Sequence, residues 1–204
     1  MVWDEFCATR TADLNSSLPR RSDARRPPHN KIPTIMSSLH SLEDLLAEEL
    51  KDLYNAENQL TKALPKMAKA ASNEELKQGL LDHLDETHVH VERLAKAFKL
   101  LDLPVKGKTC HAMKGLIEEG AEAIDTDAPD AIRDAQLIGA AQRVEHYEIA
   151  AYGTARAFAE ALGETKVAKL LQDTLDEEGE TNKKLTALSE VVNAEALAAA
   201  ESEE

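Results

Sequence analysis

The stretch Leu80-Leu81-Asp82-His83-Leu84-Asp85-Glu86 returns 91 positions later as Leu171-Gln172-Asp173-Thr174-Leu175-Asp176-Glu177, with five of seven residues identical. The same offset carries Glu57 onto Glu148, so Glu57 to Glu86 and Glu148 to Glu177 are both intervals of 29 residues. A helix that climbs about ten residues, turns and returns, at about 1.5 Å per residue, brings two residues so spaced level with each other. Two such hairpins set four carboxylates at one depth. One Glu from each of four antiparallel helices is the layout of a dimetal site, with enough negative charge to hold two divalent cations in a water-poor core.

Working outward from the repeat, helical periodicity fills the chain from Leu39 to Val192. The first helix is predicted over 39–71, on Leu42, Leu46, Leu53, Leu60 and Leu64, with Ser41 as its cap and a bend at Pro65. The second opens at Ser72-Asn73-Glu74-Glu75, where Ser72 and Glu75 form a capping box, and runs to Leu101 on a stripe of Leu80, Leu84, Val91, Leu94 and Phe98. A linker with Pro104 and Gly107 leads to a short helix over 113–124. The third long helix spans 129–162, Gly163 ends it, and the fourth spans 164–192. The fold expected is all-α: an antiparallel four-helix bundle of two helical hairpins, occupying 37–192, with a short extra helix in the crossover.

The flanks differ from this domain. Residues 1–36 hold five Arg, one Lys and Pro27-Pro28 without periodicity, and are expected to be a disordered extension. Their acids, Asp4, Glu5, Asp13 and Asp23, argue against an organelle-targeting peptide. Residues 193–204 are expected to be an acidic tail that frays into solvent.

Lys+Arg 24 against Asp+Glu 38 in 204 residues leaves a net charge of −14, which repels phosphate and excludes a nucleic-acid coat; the Arg20–Arg26 stretch is too short to reverse it. Hydrophobic residues make up 43% but aromatics 3%, so the core is aliphatic, and no run approaches the roughly 20 apolar residues of a membrane span. A cytoplasmic protein without membrane or nucleic-acid partners is expected. Cys7 and Cys110 are the only cysteines, too few for a disulfide framework.

The candidate ligands follow from where charge interrupts apolar stripes. Glu57 is flanked by Leu50, Leu53, Leu60 and Leu64, and Glu148 by Ala141, Val144, Ala151 and Ala155, at helical spacing. An unpaired carboxylate there would cost several kcal/mol, an objection a cation removes. Glu86 and Glu177 lie about 100° from the centres of their stripes; Glu178 is nearer the centre of its own, and Glu177 is chosen on repeat register alone. Glu145, one turn before Glu148, and His83 and His90, either side of Glu86, are further ligands. Dimetal bundles usually carry Glu-x-x-His on two helices, but position 89 is Val and position 180 is Glu. His90 or His83 would then take the first histidine role, and Glu180 the second. His40, His88 and His111 read as surface residues, Cys110 as a buried thiol at a helix start, and Tyr54, Tyr147 and Tyr152 as packing residues able to hydrogen-bond a ligand.

Several motifs together resemble one family: Asp52-Leu53-Tyr54-Asn55-Ala56-Glu57-Asn58-Gln59-Leu60, His83-Leu84-Asp85-Glu86-Thr87, Cys110-x-Ala112-Met113-x-Gly115-Leu116-Ile117-Glu118-Glu119, and Val144-Glu145-His146-Tyr147-Glu148-Ile149-Ala150-x-Tyr152-Gly153. Over about 39–190 the chain is similar to the YciE/YciF family of ferritin-like bacterial stress proteins. The resemblance implies a rubrerythrin-like bundle that forms a homodimer, is made under stress, and holds dinuclear iron or manganese through Glu57, Glu86, Glu145, Glu148 and Glu177. It does not extend to a histidine at 89 or 180, so an oxidase or peroxidase activity is left open. The rival expectation is a structural or partner-binding bundle whose carboxylates are neutralised by Lys, Arg or water.

Overall fold

The computed structural model describes residues 39–201, and the predicted extension 1–36 lies outside them. Five helices and no strand are present among the described residues: α1 (Leu42–Ala70), α2 (Glu74–Leu100), α3 (His111–Asp125), α4 (Asp130–Ala161) and α5 (Thr165–Glu201). The fold class is all-α, as expected. Packing contacts join α1 to α2, α4 to α5, α2 to α5 and α1 to α4, so the four long helices enclose a shared interior, and α3 lies against α1 and α4.

Local chemistry explains the ends. Ser41 caps α1, its hydroxyl accepting from the Asp44 N–H, and the helix runs on through Pro65. The expected capping box at Ser72 does not form. Asn73 caps α2 instead, its side chain accepting from Glu75 and Leu76, because the Ser72 and Asn73 N–H groups are both taken by buried Asp134 of α4, at 2.9 and 2.7 Å. That carboxylate fixes the α1–α2 turn on the second hairpin. Gly163 ends α4 as predicted: at φ +77 it lets the Glu164 N–H reach the Ala159 carbonyl and its own N–H reach Glu160. The α5 helix is longer than the sequence suggested. It runs through the expected tail to Glu201 because Val192 and Ala196 are buried and continue its apolar stripe.

The crossover is tied to α1. Lys108 N–H donates to the Lys51 carbonyl, Cys110 N–H to the Asn55 side chain, and the Gln59 amide to the Cys110 carbonyl. Gly107 passes so close that a Cβ would sit 3.1 Å from that of Asn55. Two apolar clusters result, one built on Leu60, Leu64, Met67 and Leu137, the other on Leu46, Leu50, Phe98 and Leu171. Buried Asp, Glu, His and Thr side chains are the exceptions to this aliphatic interior.

Candidate metal centre

Glu57 of α1, His83 and His90 of α2, Glu145 and Glu148 of α4 and Glu178 of α5 are all buried, each at most 3% exposed. One ligating atom from each of His83, Glu145, Glu148 and Glu178 lies within 4.8 Å of all the others, and the same holds for Glu57, His90 and Glu178. Two ligands on opposite sides of one cation stand about 4.2 Å apart at bond lengths of about 2.1 Å, so each group is near the size of a coordination shell. Glu178 belongs to both groups.

The partners of these side chains are few. Tyr152, buried, donates to Glu57 Oε1. His83 Nε2 is 3.3 Å from Glu145 Oε1 and 4.0 Å from Glu178 Oε2, and His90 Nδ1 is 3.0 Å from Glu178 Oε1 and 3.6 Å from Glu57 Oε1. None of these His–Glu approaches is aligned as a hydrogen bond, and both oxygens of Glu148 and of Glu178 lack a hydrogen-bond partner. Among the described residues no Lys or Arg pairs with any of the four glutamates.

Electrostatics follow from this crowding. Burial lifts Glu148 well above the carboxylate range, with Glu178, Glu57 and Glu145 adding repulsion, and burial lifts Glu57 too. Burial is also the main reason Glu145 rises to about 8, against the pull of His83. For the histidines burial disfavours charge, yet Glu145, Glu86 and Glu178 outweigh it and carry His83 to about 9, while Glu178 and Glu57 carry His90 to about 11. Without a cation, the cluster holds protons that it would give up to a metal.

The structure thus brings together six side chains, five of which the sequence had put forward: Glu57, His83, His90, Glu145 and Glu148. Glu86, Glu177 and Glu180 are outside both groups, Glu86 and Glu177 each beside one of the two histidines. Glu180 is exposed and pairs with Lys183. Glu177 is partly exposed and held by Arg93, with Nη2 donating to Oε1 at 2.8 Å, and by His90 Nε2 at 2.9 Å; the Arg93 guanidinium keeps its carboxyl below the usual range. Glu86 is equally exposed, 3.5 Å from His83 Nδ1, and accepts from Thr181 at 3.4 Å. The inward residue of α5 is Glu178, whose signal was its nearness to the centre of the apolar stripe. Register alone selected its neighbour, about 100° away.

The 91-residue offset nevertheless organises the surroundings. It pairs His83 with Thr174, Glu86 with Glu177, Thr87 with Glu178, His90 with Thr181 and Arg93 with Lys184. The contact of Glu177 with His90 therefore corresponds to that of Glu86 with Thr181.

Fold and site together define a class: an all-helical protein with four glutamates and two histidines buried between its long helices. A domain family of unknown function, DUF892, matches residues 41–198, and the chain belongs to that family. It is 49% identical over 153 residues to protein YciF of Escherichia coli K12, covering 74% of this chain and 92% of that protein. The crystal structure of the E. coli stress protein YciF superposes with TM-score 0.75 at 48% identity, over 76% of this chain and 99% of that one. YcfI of Rhodopseudomonas palustris, for which a structural role has been suggested, gives TM-score 0.72 at 45% identity over 74% and 96% of the two chains. No helix among the described residues is long and apolar enough to cross a membrane.

Proposed function

We propose that this chain is a ferritin-like four-helix bundle holding a pair of iron or manganese ions, acting on peroxide or dioxygen, or on the metals themselves, in the cytoplasm of stressed cells. One ion would be held by Glu57, His90 and Glu178, the other by His83, Glu145, Glu148 and Glu178. The single observation that carries this reading is Glu148, fully buried with both oxygens unpartnered. A buried bare carboxylate is retained in a core only where something neutralises it.

The ligand inventory supports the same reading. Four carboxylates and two histidines equal the total of the usual dimetal set, although here both histidines come from α2 and three carboxylates from α4 and α5. The four charges balance two divalent cations. Such ions would supply the one-electron steps that oxygen and peroxide chemistry requires. The chain contributes the carboxylate charge, the imidazole nitrogens, Tyr152 as a donor to Glu57, and an aliphatic shell that excludes water.

A second reading is favoured by the histidines: protonated, they would offset half of the buried charge in a purely structural core. Metal analysis of protein purified without chelator, followed by peroxide consumption by the loaded form, separates the two. About two equivalents of iron or manganese are expected, and a metal-free protein that takes up none supports the structural core. The homodimer implied by the family resemblance belongs to the same proposal, and light scattering checks it.

A further inference from the structure

We propose that the cavity between α2 and α5 is the route by which divalent cations reach the buried cluster, with Glu86 as the carboxylate that passes them from the mouth to His83. The inference rests on the metal reading above and adds the path. The cavity is about 270 Å³ and its lining includes Glu75, Gly79, Asp82, His83, Glu86 and Lys184. Three carboxylates against one lysine favour a cation there.

What makes this more than an acidic patch is its floor. His83 is 3% exposed, has no aligned hydrogen bond at either ring nitrogen, and is at once part of the cavity lining and of the buried cluster. Its Nδ1 faces Glu86 at 3.5 Å while its Nε2 faces Glu145 at 3.3 Å, so one imidazole links the carboxylate of the mouth to a carboxylate of the interior. Glu86 itself is partly exposed, and besides His83 its side chain is held by one long hydrogen bond, from Thr181 at 3.4 Å.

Other routes are poorer. A cavity of about 240 Å³ between α1, α3 and α4 is lined by Leu60, Met67, Leu116 and Val144 with Lys62 and Lys66, a surface that disfavours a hydrated cation. The cavity beside Leu46, Leu103 and Leu162 includes none of the cluster residues. The repeat-related position of Glu86, at Glu177, is closed by Arg93.

The test is the rate of Co(II) uptake by the full apo protein, followed by stopped-flow absorbance, with stoichiometry measured separately and folding checked by circular dichroism. Glu86→Gln is expected to slow uptake about tenfold at low salt while leaving the final stoichiometry intact, and Lys184→Glu to speed it. Lys62→Glu changes net charge equally on another face and is expected to have no effect. Gly79→Phe, whose Cβ would enter open space, fills the cavity over its His83 floor and is expected to slow uptake as well, with the final stoichiometry unchanged. If the wild type takes up Co(II) and Glu86→Gln and Gly79→Phe do so just as fast, the route is wrong and the metal centre stands. If the wild type takes up none, the metal reading falls and the route with it.

Discussion

The corners at Glu86 and Glu177 are built on one plan and end in opposite states. Each glutamate lies one residue outside the inward face of its helix and contacts the neighbouring hairpin's helix. At Glu177 that contact is His90, and the guanidinium of Arg93 closes over it with two hydrogen bonds. At Glu86 the equivalent residues are Thr181 and Lys184, the hydrogen bond lengthens to 3.4 Å, and a solvent cavity remains. Arg presents a rigid fork that matches a carboxylate at two points, whereas Lys is a mobile point charge that does not fix one. Two side-chain differences within a duplicated frame thus convert a clamp into an opening.

The comparison loses its meaning if the interior between the corners binds no cation, and the largest expected effect addresses that. Glu148→Ala removes a ligand together with a buried, unpartnered charge. Fe(II) or Mn(II) at about a hundredfold excess over Kd should stabilise the wild type by about 2.7 kcal/mol. The variant should lose that gain while its apo melting temperature stays level or rises. An apo form weakened by several kcal/mol that still responds to metal would make Glu148 a structural residue.

Next in size is the clamp itself. A carboxylate on the outer nitrogen of a ligating histidine fixes its tautomer and direction, and losing such support lowers metal affinity about 10–100-fold. Arg93→Ala should show a loss of this order in a competition titration with a chromophoric chelator. Lys184→Ala should show little at equilibrium, and equal losses would erase the distinction between the corners.

Dependence on pH sharpens it further. His83 rises from 6.5 to about 9 and Glu145 from 4.5 to about 8, so the folded apo protein binds more protons than the unfolded chain between those values. The His83 contribution is complete below 6.5 and is lost as pH rises to about 9; the Glu145 penalty grows from 4.5 and is complete near 8. Both signs agree, so apo stability should fall from pH 6.5 to 9 and metal should stabilise more at the alkaline end. Denaturant melts of both forms across that range check it, and a flat apo profile would contradict the proton-holding cluster. The Glu177 carboxyl behaves oppositely: Arg93 lowers it, so its contribution is present above the ordinary carboxylate range and is lost on acidification.

The smallest effect is expected for Thr181→Val. The bond it removes is long, so stability should drop by no more than about 0.5–1 kcal/mol in urea melts. A larger drop would mean that Glu86 is held as firmly as Glu177.

Much of this was legible in the chain. Glu57 and Glu148 interrupt apolar stripes, a signal that burial alone produces, and Glu145, His83 and His90 stand one or two turns from a marked carboxylate. The repeat register identified a real correspondence, but of the outer carboxylates, because a duplicated helix preserves its whole surface and not only its inward line. Glu178 and Glu177 differ by one position, a rotation of about 100°, and local pattern cannot settle a rotation that the neighbouring helices impose. Glu180 was chosen by analogy with Glu-x-x-His spacing, and its partner is solvent-facing Lys183.

By itself the sequence determined five things: the all-α class, the long helices, the Gly163 break, the duplication, and a core carrying more carboxylate than it can leave bare. These follow from periodicity and residue chemistry, which act over a turn or two of helix. Tertiary structure alone decided which side chains converge and which cap closes the first turn, where Asp134 of α4 displaced the local capping box. It also decided that Arg93 seals one corner while Lys184 leaves the other open. The contacts behind these outcomes join residues about 30 to 100 positions apart in the chain, and no local preference encodes the helix rotation and separation that bring such partners together.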